Sequence, residues 1–363
     1  MRIKTHWFPF FLLVSALLVL SACASSQASS EDVIEITDTS GYTVELEKPP
    51  ERIVIAGRAL FMVQGAVYLF PEAVQRVVAL ERINQSDHDF LPVISDQISE
   101  TETLEINAGP EQIAALNPDL VIMKGYMASK ANRPLDALGI PSIYLNLETP
   151  EMFYQDIQVL GQVFQNPGRA EEINAFYQER VAQVKEAVSS IDEDQKPDVL
   201  ILRYSDRGGE TAFFVPPSNW IQTRLAEEAG GKPVWASGEA ESGWQVVSFE
   251  QVAAWNPDQI YLIDYGGEAT QVVERLKSDS LWSELQAVQD DQLYAFPSDF
   301  YSWDQPDTRW ILGLQWLATK THPEQTAQLD IMDEVRSFYA VLYGLDDATL
   351  EAEVLPLLRG DIP

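Results

Sequence analysis

Apolar and polar positions alternate with a period of two over Val33-Ile-Glu-Ile36 and Tyr42-Thr-Val-Glu-Leu46, on either side of Thr39-Ser40-Gly41, and so predict a β-hairpin. Pro49 and Pro50 end it, and Arg52-Ile-Val-Ile-Ala56 reads as a buried strand. Short apolar runs at 77–80, 120–123 and 142–145 then alternate with helical patterns such as 110–116, which predicts a parallel sheet wrapped on both faces. From 169 the period changes. Ile173, Phe176, Tyr177, Val181, Val184 and Val188 recur at helical spacing with no Gly or Pro between them, so one extended helix is expected. A second series starts at Asp198-Val-Leu-Ile-Leu202: helix at 220–229, strand at 260–263, helix at 271–277, strand at 292–296, then helical runs at 307–319 and 331–343. The chain reads as α/β, with two Rossmann-like lobes of mostly parallel sheet, over 33–165 and 196–363, joined by one long helix within 166–195.

One phrase occurs in both halves: Glu111-Gln-Ile-Ala-Ala-Leu-Asn-Pro-Asp119 and Glu250-Gln-Val-Ala-Ala-Trp-Asn-Pro-Asp258. Each copy runs straight into a predicted strand, so the repeat is a duplicated helix-to-strand joint. Gly109 and Pro110 suit the N-cap and first helical position of the first copy. Ser248, with Gln251 three residues on, fits a capping box in the second. Both assignments put a glutamate, Glu111 or Glu250, at the second helical position, where the helix dipole favours it.

Composition narrows the function. The 363 residues carry 56 acidic against 24 basic side chains, a formal net charge of −32, which opposes binding to a nucleic-acid backbone. Arg2 and Lys4 precede an apolar run over 7–20 that is short for a membrane span. It ends in Leu20-Ser-Ala-Cys23, which resembles the lipobox of bacterial lipoproteins and holds the only cysteine of the chain. Residues 1–22 are then a signal peptide, Cys23 the lipid-modified first residue, and 23–32 a small, polar tether. The expected location is outside the cytoplasm, anchored to the membrane. No nucleophile elbow, phosphate-cradling loop or cysteine nucleophile appears, and His88 and His322 alone remain after processing, so neither an enzyme nor a histidine-bound metal site is expected.

Taken in order, Asp38-Thr-Ser-Gly41, Pro49-Pro-Glu-Arg-Ile-Val54, Asn117-Pro-Asp-Leu-Val121, Val247-Ser-Phe-Glu250, Asn256-Pro-Asp258, the run from Arg309 to Ala318 and His322-Pro-Glu324 resemble the substrate-binding proteins of ABC importers, of the type that carries iron-siderophores, haem and vitamin B12. That resemblance implies a monomer that captures a metal chelate between its lobes and delivers it to a permease dimer and its ATPase. Smaller oxyanions such as molybdate or tungstate are the alternative cargo. No cofactor is implied beyond a metal within the ligand itself. The resemblance also implies that one acidic residue per lobe docks onto permease arginines. Glu111 and Glu250 match those positions, and Glu72 and Glu81 are neighbouring candidates.

Open parallel sheets take ligands beyond the carboxyl ends of their strands. Arg58, Lys124 and Tyr126 stand at those ends in the first half, and Arg203, Tyr204, Arg207, Tyr265, Tyr301 and Trp303 in the second. With Trp244 they are expected to supply cations for an anionic ligand and aromatic walls around it. Arg309 and Trp310, in a helical run, are expected to pack inside or form an internal ion pair.

Overall fold

The computed structural model describes residues 33–83, 88–127, 135–206, 208–236 and 243–362; Cys23 and Arg207 lie outside them. The hairpin forms from β1 (Ile34–Thr37) and β2 (Thr43–Leu46), paired antiparallel. The first lobe is built on β3 (Ile53–Ile55), β4 (Val77–Glu81), β5 (Glu102–Leu104), β6 (Leu120–Lys124) and β7 (Ser142–Leu145). These lie in the order β5-β4-β3-β6-β7, and every pairing is parallel. Ile53, Ile55, Leu120, Ile122, Ile143 and Leu145 pack in one apolar cluster, while Val54, Val121, Met123 and Tyr144 pack in another. Both faces of this sheet are therefore covered, which is why its strands read as unbroken apolar runs rather than alternating ones.

The helices that matter below are numbered in chain order. In the first lobe they are α1 (Leu60–Val67), α2 (Pro110–Ala114) and α3 (Pro150–Phe164). The connecting helix, α4, runs over Pro167–Val188; the Asn166 side chain caps it by accepting from the Arg169 N–H, and Pro167 fills its first position.

The second sheet contains β8 (Asp198–Ser205), β9 (Ala212–Val215), β10 (Lys232–Pro233), β11 (Gln245–Val247), β12 (Gln259–Asp264) and β13 (Leu293–Ala295). Its order is β11-β9-β8-β12-β13, with β10 paired to β8. This sheet is mixed: β8 pairs parallel with β10 and β12, and β12 with β13, while β9 runs antiparallel to both β8 and β11. Its helices are α5 (Ile221–Glu228), α6 (Phe249–Trp255), α7 (Ala269–Lys277), α8 (Trp310–Thr321) and α9 (Ile331–Tyr343). Two α/β lobes joined by a long helix is the architecture, and one apolar cluster runs through both by way of α1, α4, α8 and α9.

The repeated phrase is the same joint folded twice. Asn117 and Asn256 both adopt the left-handed conformation, with φ of 48° and 45°. The following proline cannot continue the helix, so the chain turns there. The next aspartate clamps the turn to the first strand of its lobe. Asp119 accepts the backbone N–H groups of Glu51 and Arg52 at 2.9 and 3.1 Å, and Asp258 accepts that of Asp198 at 2.8 Å.

Because a left-handed residue with a Cβ is strained by about 1–2 kcal/mol unless it is Asn or Gly, Asn117→Ala and Asn256→Ala should each cost roughly 1 kcal/mol in denaturant unfolding. The corresponding Gly variants should lose little. Equal losses for Ala and Gly would show that the Asn side chains, not their backbone conformation, support the joint.

Candidate functional site

In the first sheet the strand order reverses between β3 and β6, and in the second between β9 and β12, on either side of β8. Crevices open at such switch points, beyond the strand ends. Arg58 follows β3 and Arg203 lies near the end of β8, so two of the three strand-end arginines named from the sequence stand at a switch point.

At the end of β3 the chain passes through Gly57 (φ 109°) and Ala59 (φ 55°) before α1 begins. A side chain at Gly57 would meet the Met127 sulfur at 2.8 Å, so the position suits glycine on both counts. Buried Glu81 accepts the Gly57 N–H at 2.8 Å and also that of Asn107, bracing three strand-end loops. The exposed Arg58 side chain reaches Asn107, with Nε 3.4 Å from Oδ1. A cavity of about 250 Å³ opens here, lined by Gly57, Arg58, Leu60, Arg82 and Asn107 among others. No side chain caps the first N–H groups of α1, and two guanidinium groups border the space. Such a combination favours anions in general, and here Arg82 is itself paired with Glu105 at 3.6 Å. Tyr126 stands close by, 38% exposed; burial raises its phenol and the Arg58 charge opposes that rise.

Lys124 is placed differently. Its side chain is almost fully buried, with Nζ 2.7 Å from Glu148 and donating to the Asn146 carbonyl, so its charge is compensated within the lobe. The same strand end is held by Asp156, which accepts the Asn146 and Leu147 N–H groups at 2.7 Å each and the Thr39 hydroxyl at 2.7 Å.

Across from this, the guanidinium of Arg203 lies 4.3 Å from the Phe214 ring centroid, 4.7 Å from that of Trp244 and 5.8 Å from that of Tyr265. Trp244 meets Trp220 and Tyr265 edge to face, at 5.9 and 6.2 Å. A guanidinium sheathed by rings is held in orientation while its N–H edge remains a directional anion donor.

Tyr204 does not belong to this wall. Successive strand residues face opposite sides of a sheet, and Tyr204 is 7% exposed against Phe213, its hydroxyl accepting from Arg275 at 2.9 Å. Trp303 is also a core residue, wholly buried with its indole N–H donated to Asp299 at 2.9 Å. Tyr301 is 6% exposed and stacks on Phe61 of the first lobe with centroids 4.4 Å apart, so it floors the junction between the lobes. Arg309 forms the internal ion pair expected of it. Arg82, Asn107, Phe214 and Trp220 were missed by the sequence reading. Arg82 directly follows a predicted strand and could have been found by the same strand-end rule. Phe214 could not, because it faces Arg203 only through the short strand β9.

Glu111 and Glu250 are exposed and hold the second positions of α2 and α6. Gln112 accepts the Gly109 N–H at 2.8 Å, and Ser248 accepts that of Gln251 at 3.3 Å. The Ser248 hydroxyl also bonds the Glu250 carboxyl and holds it below its ordinary range. Both helices lead into a parallel strand, so they run back along the sheet. Their first turns thus lie on the edge that carries Arg58 and Arg203. Glu81 is buried, and half-buried Glu72 accepts from Asn166 at 2.7 Å, so these two are structural rather than surface contacts.

A family model described as periplasmic binding protein matches residues 89–300. The chain is 25% identical over 255 residues to the molybdate-binding protein MolA of Haemophilus influenzae, covering 64% of this chain and 69% of that one. It is 25% identical over 175 residues to the petrobactin-binding protein YclQ of Bacillus subtilis, covering 47% of this chain and 52% of that one. Its fold is similar to the crystal structure of a periplasmic solute binding protein from Veillonella parvula, with a TM-score of 0.70, 22% identity, and 89% and 97% of the two chains covered.

Burial pushes the Asp156 carboxyl up to about 6, against the Thr39, Leu147 and Asn146 hydrogen bonds and the Lys124 charge, which favour its ionised form. A folded-state value above the unfolded one gives stability that is full at low pH and is lost as pH rises through about 6. The advantage of the native protein over Asp156→Asn should therefore shrink by about 2 kcal/mol between roughly pH 4.5 and 7.5. Denaturant unfolding of both proteins across that range measures it, and a constant difference would refute the assignment.

Proposed function

Because the chain belongs to the periplasmic binding protein family, whose members are solute-binding proteins of ABC transporters, we propose that it captures an anionic metal chelate between its lobes and delivers it to an importer while anchored through Cys23. The observation that carries this reading is the pair Arg58 and Arg203, one at the switch point of each sheet. In a chain of net charge −32, a cation at the switch point of each sheet supports an anionic ligand. The aromatic sheath of Arg203 supports an organic chelate such as a ferric siderophore, haem or a corrinoid, since Trp244 and Tyr265 offer flat apolar surface. Lipid attachment at Cys23 is supported by the lipobox-like sequence before it. No helix among the described residues is long and apolar enough to cross a membrane.

A second reading is supported by the cavity of about 250 Å³ at the start of α1. Its two guanidinium groups and uncapped helix end suit a small oxyanion such as molybdate or tungstate. The two readings separate by calorimetry on the soluble domain. Loss of a charged hydrogen bond is worth about 1.5–3 kcal/mol, so Arg58→Ala and Arg203→Ala should each weaken the true ligand roughly tenfold to hundredfold. Trp244→Ala should weaken a chelate strongly and an oxyanion little. Wild-type affinity in both arginine variants would sink the cleft as proposed.

Glu111 and Glu250 are proposed as the grip of each lobe on the permease dimer, the partner chemistry being basic side chains. In proteoliposomes holding the cognate transporter, Glu111→Arg and Glu250→Arg should each cut uptake at least several-fold at unchanged ligand affinity, because like charges across a contact repel. Intact uptake would remove them from the interface. The full chain carrying Cys23→Ser should leave the membrane fraction; retention there would count against the anchor.

A further inference from the structure

Asp304 is wholly buried, yet its carboxylate accepts hydrogen bonds from three segments: Gln222 Nε2 at 3.0 Å, the Tyr265 hydroxyl at 2.8 Å and Ser302 Oγ at 2.5 Å. Each donor neighbours an aromatic residue of the ligand edge or is one itself. Gln222 lies in the first turn of α5, two residues after its N-cap Trp220. Tyr265 directly follows β12. Ser302 adjoins Tyr301, which is stacked on Phe61. One carboxylate thus ties the segment carrying Trp220, the ring of Tyr265 and the floor between the lobes.

An apolar side chain of similar volume would pack here without the desolvation that a buried carboxylate suffers. Its three donors also give Asp304 a directional hold that apolar packing lacks. The chain of contact then runs outward. Tyr265 lies edge-on to Trp244, with centroids 6.2 Å apart and planes at 77°, and both rings face the Arg203 guanidinium. We propose that Asp304 is a positioning residue that fixes Tyr265, and through it the Trp244–Arg203 pair, before ligand arrives. This rests on the second-lobe wall being part of the ligand site. Burial raises the Tyr265 phenol well above its ordinary range, so its hydroxyl stays a donor to Asp304 at any physiological pH.

The experiment reads the wall without a ligand. Acrylamide quenching of Trp244 fluorescence is taken as the difference between each protein and its Trp244→Phe counterpart. Asp304→Ala and Tyr265→Phe should each raise the Trp244 quenching constant at least two-fold in the folded protein, and Asp304→Asn, which keeps an acceptor oxygen for Tyr265, should restore at least half of the shielding. A purely structural Asp304 would lower the unfolding midpoint but leave Trp244 shielded. Tyr265→Phe deletes one hydroxyl and decides the matter even where Asp304→Ala does not fold. Unchanged quenching in folded Tyr265→Phe would overturn the proposal and leave the ligand reading standing. Loosened quenching with full ligand affinity in Arg203→Ala would instead show that the wall is positioned but is not the ligand site.

Discussion

A guanidinium shut off from water lies at the junction of the lobes. Arg309 is wholly buried, with Nε 2.5 Å from Asp299 and Nη1 3.1 Å from Asp307, both also buried. Asp299 is further fixed by the Trp303 indole and the Tyr339 hydroxyl, at 2.9 and 2.6 Å. The Phe90 ring of the first lobe lies 4.6 Å from the guanidinium, and that of Tyr301 lies 5.2 Å away. Removing one partner from such a cluster strands a buried charge, at a cost of roughly 3–5 kcal/mol against a typical total stability of about 5–15. The rest of the junction follows. Next to Asp307, the Thr308 carbonyl accepts from Tyr177 of α4 at 2.6 Å, and Tyr343 of α9 donates to Gly65 of α1 at 3.1 Å. Arg169 adds a second bond between the lobes, donating to the carbonyls of Leu69 and Leu342 at 3.0 and 2.6 Å.

Two of the buried cations are compensated within the fold. Arg309 is neutralised below the cleft and Lys124 is matched by Glu148 at its side. Among the described residues, Arg58 and Arg203 are the arginines that stand at the switch points. The acidic surface does not cancel them. At physiological ionic strength the screening length is about 8 Å, so distant carboxylates are largely invisible to an anion already between the lobes. If an anion is held there, close range governs its capture, and long range favours solubility.

Much of this was legible where local chemistry fixes structure. Helix α9 was read with its true limits because Asp330 caps its start, accepting from the Met332 N–H at 2.8 Å, and Gly344 ends it at φ 69°. The duplicated joint was legible for the same reason, since its Asn, Pro and Asp each do a local task twice. Strands β9 and β11 were not. They are four and three residues long and are held by pairing along β8 and each other rather than by a pattern of their own. Tyr204 and Trp303, expected at the ligand edge, are buried for one shared reason. Position at a strand end says that a residue is near the crevice, but the face it points to depends on partners remote in sequence.

The duplicated joint also bears on how two lobes could present a fixed signal to one partner. Glu111 and Glu250 sit in the first turns of helices whose far ends are stopped by a left-handed Asn and clamped by an Asp to the first strand of each sheet. The helices packed on those sheets are in turn joined at a common floor by Arg309, Arg169 and the Tyr177 and Tyr343 contacts. Each carboxylate is thus tied to its lobe by a hydrogen-bonded turn, and the lobes are joined by buried contacts between their helices. A frame of that kind sets the separation of the two carboxylates through the fold. If they are the grip on a transporter, the spacing of its basic contacts must match this frame, and ligand can change the match only by shifting the lobes about their shared floor.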